Sequence, residues 1–170
     1  MNAISTKRKA TVGMMLVGIF MAAWLAGCQT FGQEDMGRMV PEANRVTIPS
    51  PGKTVAGVFK TNDMTIEYQA RRAGDKLKLW GGGKIRFETI KELIFHLYFL
   101  DAQGRVIKID NFYAFVDQED FDVLKFNVPT FNRDFTIPPG AVAGAIGYDG
   151  TTIGSKPEPE ISFSYYPFGG

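Results

Sequence analysis

The chain has 170 residues, with 19 Lys and Arg against 18 Asp and Glu, one His and one Cys. A formal charge of +1 excludes the strong basic excess of a nucleic-acid binder. A single cysteine excludes an internal disulfide framework, and with a single histidine it cannot assemble a usual zinc site.

In chain order, the first feature is a cationic start, Lys7-Arg8-Lys9, followed by an apolar run from Val12 to Trp24 and then Leu25-Ala26-Gly27-Cys28. A positive start, an apolar middle and small residues before a cleavage point are the parts of an export signal. A membrane-spanning helix needs about 20 apolar residues, and this run reaches that only if the small residues before Cys28 are counted. Leu25, Ala26, Gly27 and Cys28 resemble the lipobox of bacterial lipoprotein signal peptides. The resemblance implies a diacylglyceryl group on the Cys28 thiol, cleavage after Gly27, and acylation of the new terminal amine. Two lipid chains anchor stably, at about 0.8 kcal/mol per buried methylene. Membrane attachment through Cys28 is thus the first partner expected, outside the cytoplasm. Enterobacterial lipoproteins kept at the inner membrane carry Asp after the cysteine; Gln29 stands here, which points to the periplasmic face of an outer membrane where the source has one.

Removing residues 1–27 leaves 143 residues, one ordinary domain, with net side-chain charge −2 because the leader holds three of the cations and none of the acids. Residues 28–52 read as the lipidated N-terminus and a tether, with Pro41, Pro49, Pro51 and Gly52 and no sustained period. As a flexible coil the tether would reach roughly 25–30 Å and hold a domain clear of the headgroups. Residues 53–170 read as that domain.

From Thr54 onward, Gly74-Asp75, Gly81 to Gly83, Asp101 to Gly104, Pro138 to Gly140 and Asp149-Gly150 separate short β-branched and aromatic runs. This pattern predicts an all-β fold, a single antiparallel β-sandwich of immunoglobulin-like or similar type. One hairpin is expected to join Lys76–Trp80 to Lys84–Phe87 through the three glycines, setting Lys78 opposite Arg86 and Lys76 opposite Glu88. A second joins Leu93–Leu100 to Arg105–Phe115, with a type I turn over Asp101-Ala102-Gln103 and Gly104 in the left-handed region. Its register pairs Phe99 with Ile107, Leu97 with Ile109, Tyr98 with Lys108 and His96 with Asp110. Leu97-Tyr98-Phe99-Leu100-Asp101-Ala102-Gln103-Gly104-Arg105-Val106, with the later Ile137-Pro138-Pro139-Gly140, resembles small immunoglobulin-like modules of bacterial envelope proteins such as the FxLYD type. The spacing departs from theirs by two residues before Asp101, so the resemblance implies a sandwich and carries over no functional residue.

The chemistry-bearing residues are few. His96 would need an orienting carboxylate, for which Asp110 is placed across the strand pair, and a nucleophile, for which no G-x-S-x-G elbow exists. An outward polar pair in a sheet is the plainer reading. Asp117, Glu119, Asp120 and Asp122 lack the spacing of a helix-loop-helix calcium site. Gly81-Gly82-Gly83-Lys84 lacks the first glycine and the Ser or Thr of a phosphate loop. Neither a metal nor a cofactor is expected. Lys76, Lys78, Lys84 and Arg86, with Arg71 and Arg72, form a cationic surface suited to an anionic partner, or simply a solvated face that resists edge pairing. Phe112, Tyr113, Phe115, Phe121, Phe126 and Phe131 crowd one region, as core or as an exposed stacking surface. Ile161 to Tyr165 alternates like a half-buried strand that could recruit a partner if it lies on an edge. The function expected is therefore non-enzymatic binding or scaffolding, with a protein partner in an envelope assembly and no nucleic acid. Glycan or lipid binding through an aromatic surface is the alternative.

Overall fold

The structure is a computed structural model that describes residues 33–87, 90–114, 129–152 and 159–169. The chain divides into Met1–Glu34, nearly all outside the described residues, and Asp35–Gly170. The second unit is an antiparallel β-sandwich, as the turn pattern predicts. Its strands are β1 (Val46–Thr47), β2 (Thr54–Lys60), β3 (Met64–Ala73), β4 (Lys76–Ile85), β5 (Ile90–Leu100), β6 (Val106–Tyr113), β7 (Thr130–Thr136), β8 (Ala143–Thr152) and β9 (Ser162–Tyr165). One sheet has the order β1-β8-β5-β6, with β9 also on β8; the other has the order β2-β3-β4-β7. Among the described residues the only helices are short 3-10 turns, none long and apolar enough to cross a membrane.

Period-two alternation decides which side chains enter the core. Along β3, Met64, Ile66, Tyr68 and Ala70 are buried while Glu67, Gln69 and Arg71 face out. Leu77, Leu79 and Ile85 of β4 and Phe131 and Phe135 of β7 add to the same face, which packs on Phe95, Leu97, Phe99 and Phe112. Phe112 and Phe131, two of the crowded aromatics, are thus core; Phe115, Phe121 and Phe126 lie outside the described residues.

The three glycines do not form a turn. They sit inside β4, which runs unbroken from Lys76 to Ile85 and pairs with β3 on one side and β7 on the other. The hairpin turn is Gly74-Asp75, between the paired Ala73 and Lys76, with Gly74 at φ 62°. Lys78 accordingly lies between Arg71 and Asp134, not opposite Arg86, and Lys76 pairs with Ala73 and Thr136, not Glu88. The reason is close approach. A Cβ on Gly83 would stand 1.9 Å from the Thr65 carbonyl oxygen, and one on Gly81 2.3 Å from that of Glu67. Only glycine lets the two strands converge there. Asp149-Gly150 is likewise mid-strand, and Gly150 makes room for the Phe163 ring.

The second hairpin forms with the expected turn. Gly104 has φ 84°, its N–H donates to the Asp101 carbonyl at 3.0 Å, and Asp101 Oδ1 accepts from the N–H groups of Gln103 and Arg105. Leu100 pairs with Val106 as that turn requires, but a further bulge at Ile107 then slips the register by one. Phe99 faces Lys108, Leu97 faces Asp110, Tyr98 faces Ile109 and His96 faces Asn111, which corrects the predicted pairs. The slip puts two charges on the core side of β6, yet among the described strands β6 lies at the edge of its sheet. There Lys108 Nζ reaches Asp110 at 2.6 Å and the Thr136 carbonyl at 3.3 Å, and lies 5.5 Å from the centroid of the Phe99 ring.

Candidate functional site

β5 is buried on both faces from Phe95 to Leu100. Leu97 and Phe99 enter the inter-sheet core, whereas Tyr98 and Leu100 belong to a second cluster on the outside of the five-stranded sheet, with Val40, Val106 and Ala145. Two chain segments cover it. Residues 37–40 bond the start of β6: Gly37 N–H to the Val106 carbonyl, Val106 N–H to the Arg38 carbonyl and Val40 N–H to the Gly104 carbonyl, each at 2.9 Å. The C-terminal segment lays Phe168 against Tyr98, with the Arg38 guanidinium 3.8 Å above the Phe168 ring. Asn44 Nδ2 clips the segments together, donating to the carbonyls of Pro167 and Gly169 at 3.1 and 2.8 Å. The expected tether over 28–52 is therefore too long. Asp35 to Gly52 is part of the folded unit, with Val40 and Pro49 fully buried and Val46–Thr47 paired to β8.

Beneath this cover lies a polar network centred on His96, which is 7% exposed. Nε2 is 2.8 Å from Asp149 Oδ2 and Nδ1 is 2.8 Å from Asn111 Oδ1. An ionised carboxylate only accepts, so Nε2–H is the donor to Asp149. Tyr166 O–H donates to the other Asp149 oxygen at 2.7 Å, and its ring stacks on the imidazole at 6.3 Å and 10°. Beside it, Tyr98 O–H donates to Asp35 Oδ2 at 3.3 Å, and Arg38 pairs with Asp35 Oδ1 at 2.6 Å. The carboxylate partner of His96 is thus Asp149 on β8, not Asp110 on β6, which is held by Lys108. Both imidazole nitrogens are engaged, one ring face is stacked under Tyr166, and among the described residues no Ser or Thr hydroxyl bonds to the imidazole. The arrangement ties β5, β6, β8 and the C-terminal segment around one buried histidine, with Asp149 and Tyr166 themselves partly exposed.

Partial burial first, then the hydrogen bond and charge of Asp149, push the Tyr166 hydroxyl up to about 12. Burial, then the charge of Asp35, raises Tyr98 as well. In the inter-sheet core, burial raises Tyr148, whose O–H donates to Asp63 Oδ2 at 2.9 Å. A phenol whose folded value lies above its unfolded value of 10.0 stabilises the fold below pH 10 and loses that contribution as pH rises through the folded value. Urea midpoints are expected to fall as pH rises from 10 toward 12. A midpoint flat across that window, for wild type and Tyr166→Phe alike, would contradict this placement of the hydroxyls.

The remaining predicted site residues are scattered. Leu25, Ala26, Gly27 and Cys28 lie outside the described residues, as do Asp117, Glu119, Asp120 and Asp122. Lys76, Lys78 and Lys84 project from the outer face of β4, and Arg86 follows that strand. Lys76 donates to Thr136 Oγ1 at 2.7 Å. Lys78 has a cation on one flank and an anion on the other, so the cationic row is partly neutralised within the sheet. Among the described residues, no group of three or more His, Cys, Asp or Glu is placed to hold a metal ion. β9 pairs with β8 on one side only, and so lies at the edge of its sheet among the described strands. Compared with known proteins, the chain matches no family model, no curated protein and no solved structure.

Proposed function

We propose that this chain is an exported lipoprotein, acylated on Cys28 after cleavage behind Gly27, whose β-sandwich is a non-enzymatic binding or scaffolding subunit of an envelope assembly. The observation that carries the proposal is Leu25-Ala26-Gly27-Cys28 at the end of an apolar run that follows Lys7-Arg8-Lys9. One structural feature supports its non-enzymatic part: the chain's one histidine is used as a structural tie between strands and C-terminal segment.

The test is Cys28→Ser. Wild-type protein is expected to incorporate labelled fatty acid, to shift in mass on processing and to partition with membranes. The serine variant is expected to lose all three, because an acyl thioether cannot form. A variant that is still processed at the same site and still extracted with detergent would overturn the anchor. Crosslinking in intact cells should then trap a defined protein neighbour from wild type and not from the serine variant. A glycan-binding reading is the second, favoured by one observation: a tryptophan-walled trough on the face of the sandwich opposite the His96 network.

A further inference from the structure

The outer face of the four-stranded sheet carries a built trough. The register β2-β3-β4-β7 sets side chains in rows across the strands, and one row is Ala56, Gln69, Trp80 and Asn132. The next row is Val58, Glu67, Gly82 and Thr130. Gly82 has no side chain and Ala56 has only a methyl, so the sheet is open beside the indole. The resulting trough, of about 450 Å³, is walled by Trp80 on one side and Val58 on the other, with Glu67 and Gln69 between them.

Each part is unlike a solvated sheet face. Val58 is 66% exposed, an apolar side chain standing in water with no strand beyond it among those described. Trp80 is half-buried, and among the described residues its ring meets no other ring and its indole N–H makes no hydrogen bond. Of the core rings, Tyr68 and Phe99 likewise meet no other ring, while Phe95, Phe112, Phe131, Phe135, Tyr148 and Phe163 each pack on one to four. Glu67 and Gln69 are exposed and, among the described residues, their side chains make no hydrogen bond or ion pair; they present acceptors and a donor within reach of whatever lies on the indole.

We infer that this trough is a glycan subsite that takes one pyranose ring on Trp80. A pyranose combines an apolar C–H face with a rim of hydroxyls that both donate and accept, and that is the complement of an indole wall flanked by a carboxylate and an amide. A purely apolar occupant would leave the Glu67 charge desolvated and unpaired, and a phosphate would be repelled by it. The orientation follows from the rows: the ring lies against the indole, with its hydroxyls toward Glu67 and Gln69 of β3. This site rests on the glycan-binding reading and is independent of the anchor at Cys28.

The test uses the full chain carrying Trp24→Phe, which leaves Trp80 as the remaining tryptophan of two. Its fluorescence is titrated with glucose and N-acetylglucosamine tetrasaccharides and with soluble peptidoglycan fragments. A saturable spectral shift is expected with at least one of them. Calorimetry should show Trp80→Ala, and separately Gln69→Ala and Glu67→Ala, weakening that binding by about tenfold or more, as removal of a central anchor does. Gln69 and Glu67 are exposed, so their variants keep the fold, checked by circular dichroism, if truncation of Trp80 does not. No binding across the whole panel overturns both this site and the glycan reading. Binding that survives Trp80→Ala, Gln69→Ala and Glu67→Ala overturns the site alone.

Discussion

Phe95→Ala is expected to lower the stability of the sandwich by about 3–5 kcal/mol, the range for truncating a large buried ring. Phe95 is 1% exposed and joins both sheets at their centre. Its ring stacks on Phe112 of β6 at 5.3 Å and 23°, and meets Tyr148 of β8 at 6.4 Å and Phe131 of the facing sheet at 5.7 Å. Those three rings cannot all close on the space left, because each is held by other partners: Phe112 and Phe131 by one another, Tyr148 by its hydrogen bonds to Thr61 and Asp63. A domain of this size is stable by only about 5–15 kcal/mol, so the loss takes a large share of the total. Urea denaturation should show a lower midpoint with an unchanged slope. A loss under about 1 kcal/mol would mean that the ring sits at a periphery rather than a centre.

The second large effect is expected at Gly83. Adding a Cβ there places it 1.9 Å from the backbone oxygen of Thr65 and 2.8 Å from the Ile66 Cα. Backbone cannot swing away as a side-chain tip can, so β3 and β4 must separate and give up paired hydrogen bonds. Gly83→Ala is expected to cost about 3 kcal/mol, at the upper end of the overpacking range. Gly82→Ala should cost clearly less, since its Cβ points to the outer face and meets only the Pro129 oxygen at 3.1 Å and the Thr130 methyl at 3.2 Å. Urea midpoints of the two variants decide it. Equal tolerance at both positions would contradict a continuous β4.

That contrast also shows how a local pattern misleads. Three consecutive glycines between strand-like runs look like a hairpin loop, because glycine permits turns. Glycine equally permits two backbones to converge, and nothing within Lys76–Arg86 tells the two uses apart. A Gly-Asp pair a few residues earlier was the better turn signal, being a two-residue link between runs of opposite direction. The Asp101–Gly104 turn was legible because its hydrogen bonds are local: Asp101 Oδ1 caps its own neighbours. The bulge at Ile107 was not. It balances the burial of Ile109 and Val106 under the N-terminal segment against the edge position of Lys108 and Asp110, and that balance exists only once the segment is docked.

The His96 network was not legible: the sequence placed His96 in an outward polar pair with Asp110, whereas the residue is 7% exposed and bonded to Asp149, because the segments that cover its face come from both ends of the folded unit. Which carboxylate meets the histidine was beyond local reading. Asp149 lies 53 residues away and reaches Nε2 only because β8 is the neighbour of β5. Trp80 was equally unremarkable in the chain, since what distinguishes it is the glycine beside it at Gly82 and the row that β2 and β3 bring alongside.

By itself the sequence determined the all-β class, the sandwich and the turns at Asp101–Gly104 and Pro138–Gly140, and it alone carries the proposal of an acylated Cys28. These depend on residue type over short spans, where side-chain chemistry and backbone preference act directly. Tertiary structure alone decided the pairing of β3 with β4 through glycines, the slip at Ile107, the docking of residues 35–52 with Val40 and Pro49 buried, the partner of His96 and the trough at Trp80. Each of these is settled by which distant strand lies alongside, and that choice minimises the free energy of the whole core rather than of any one segment.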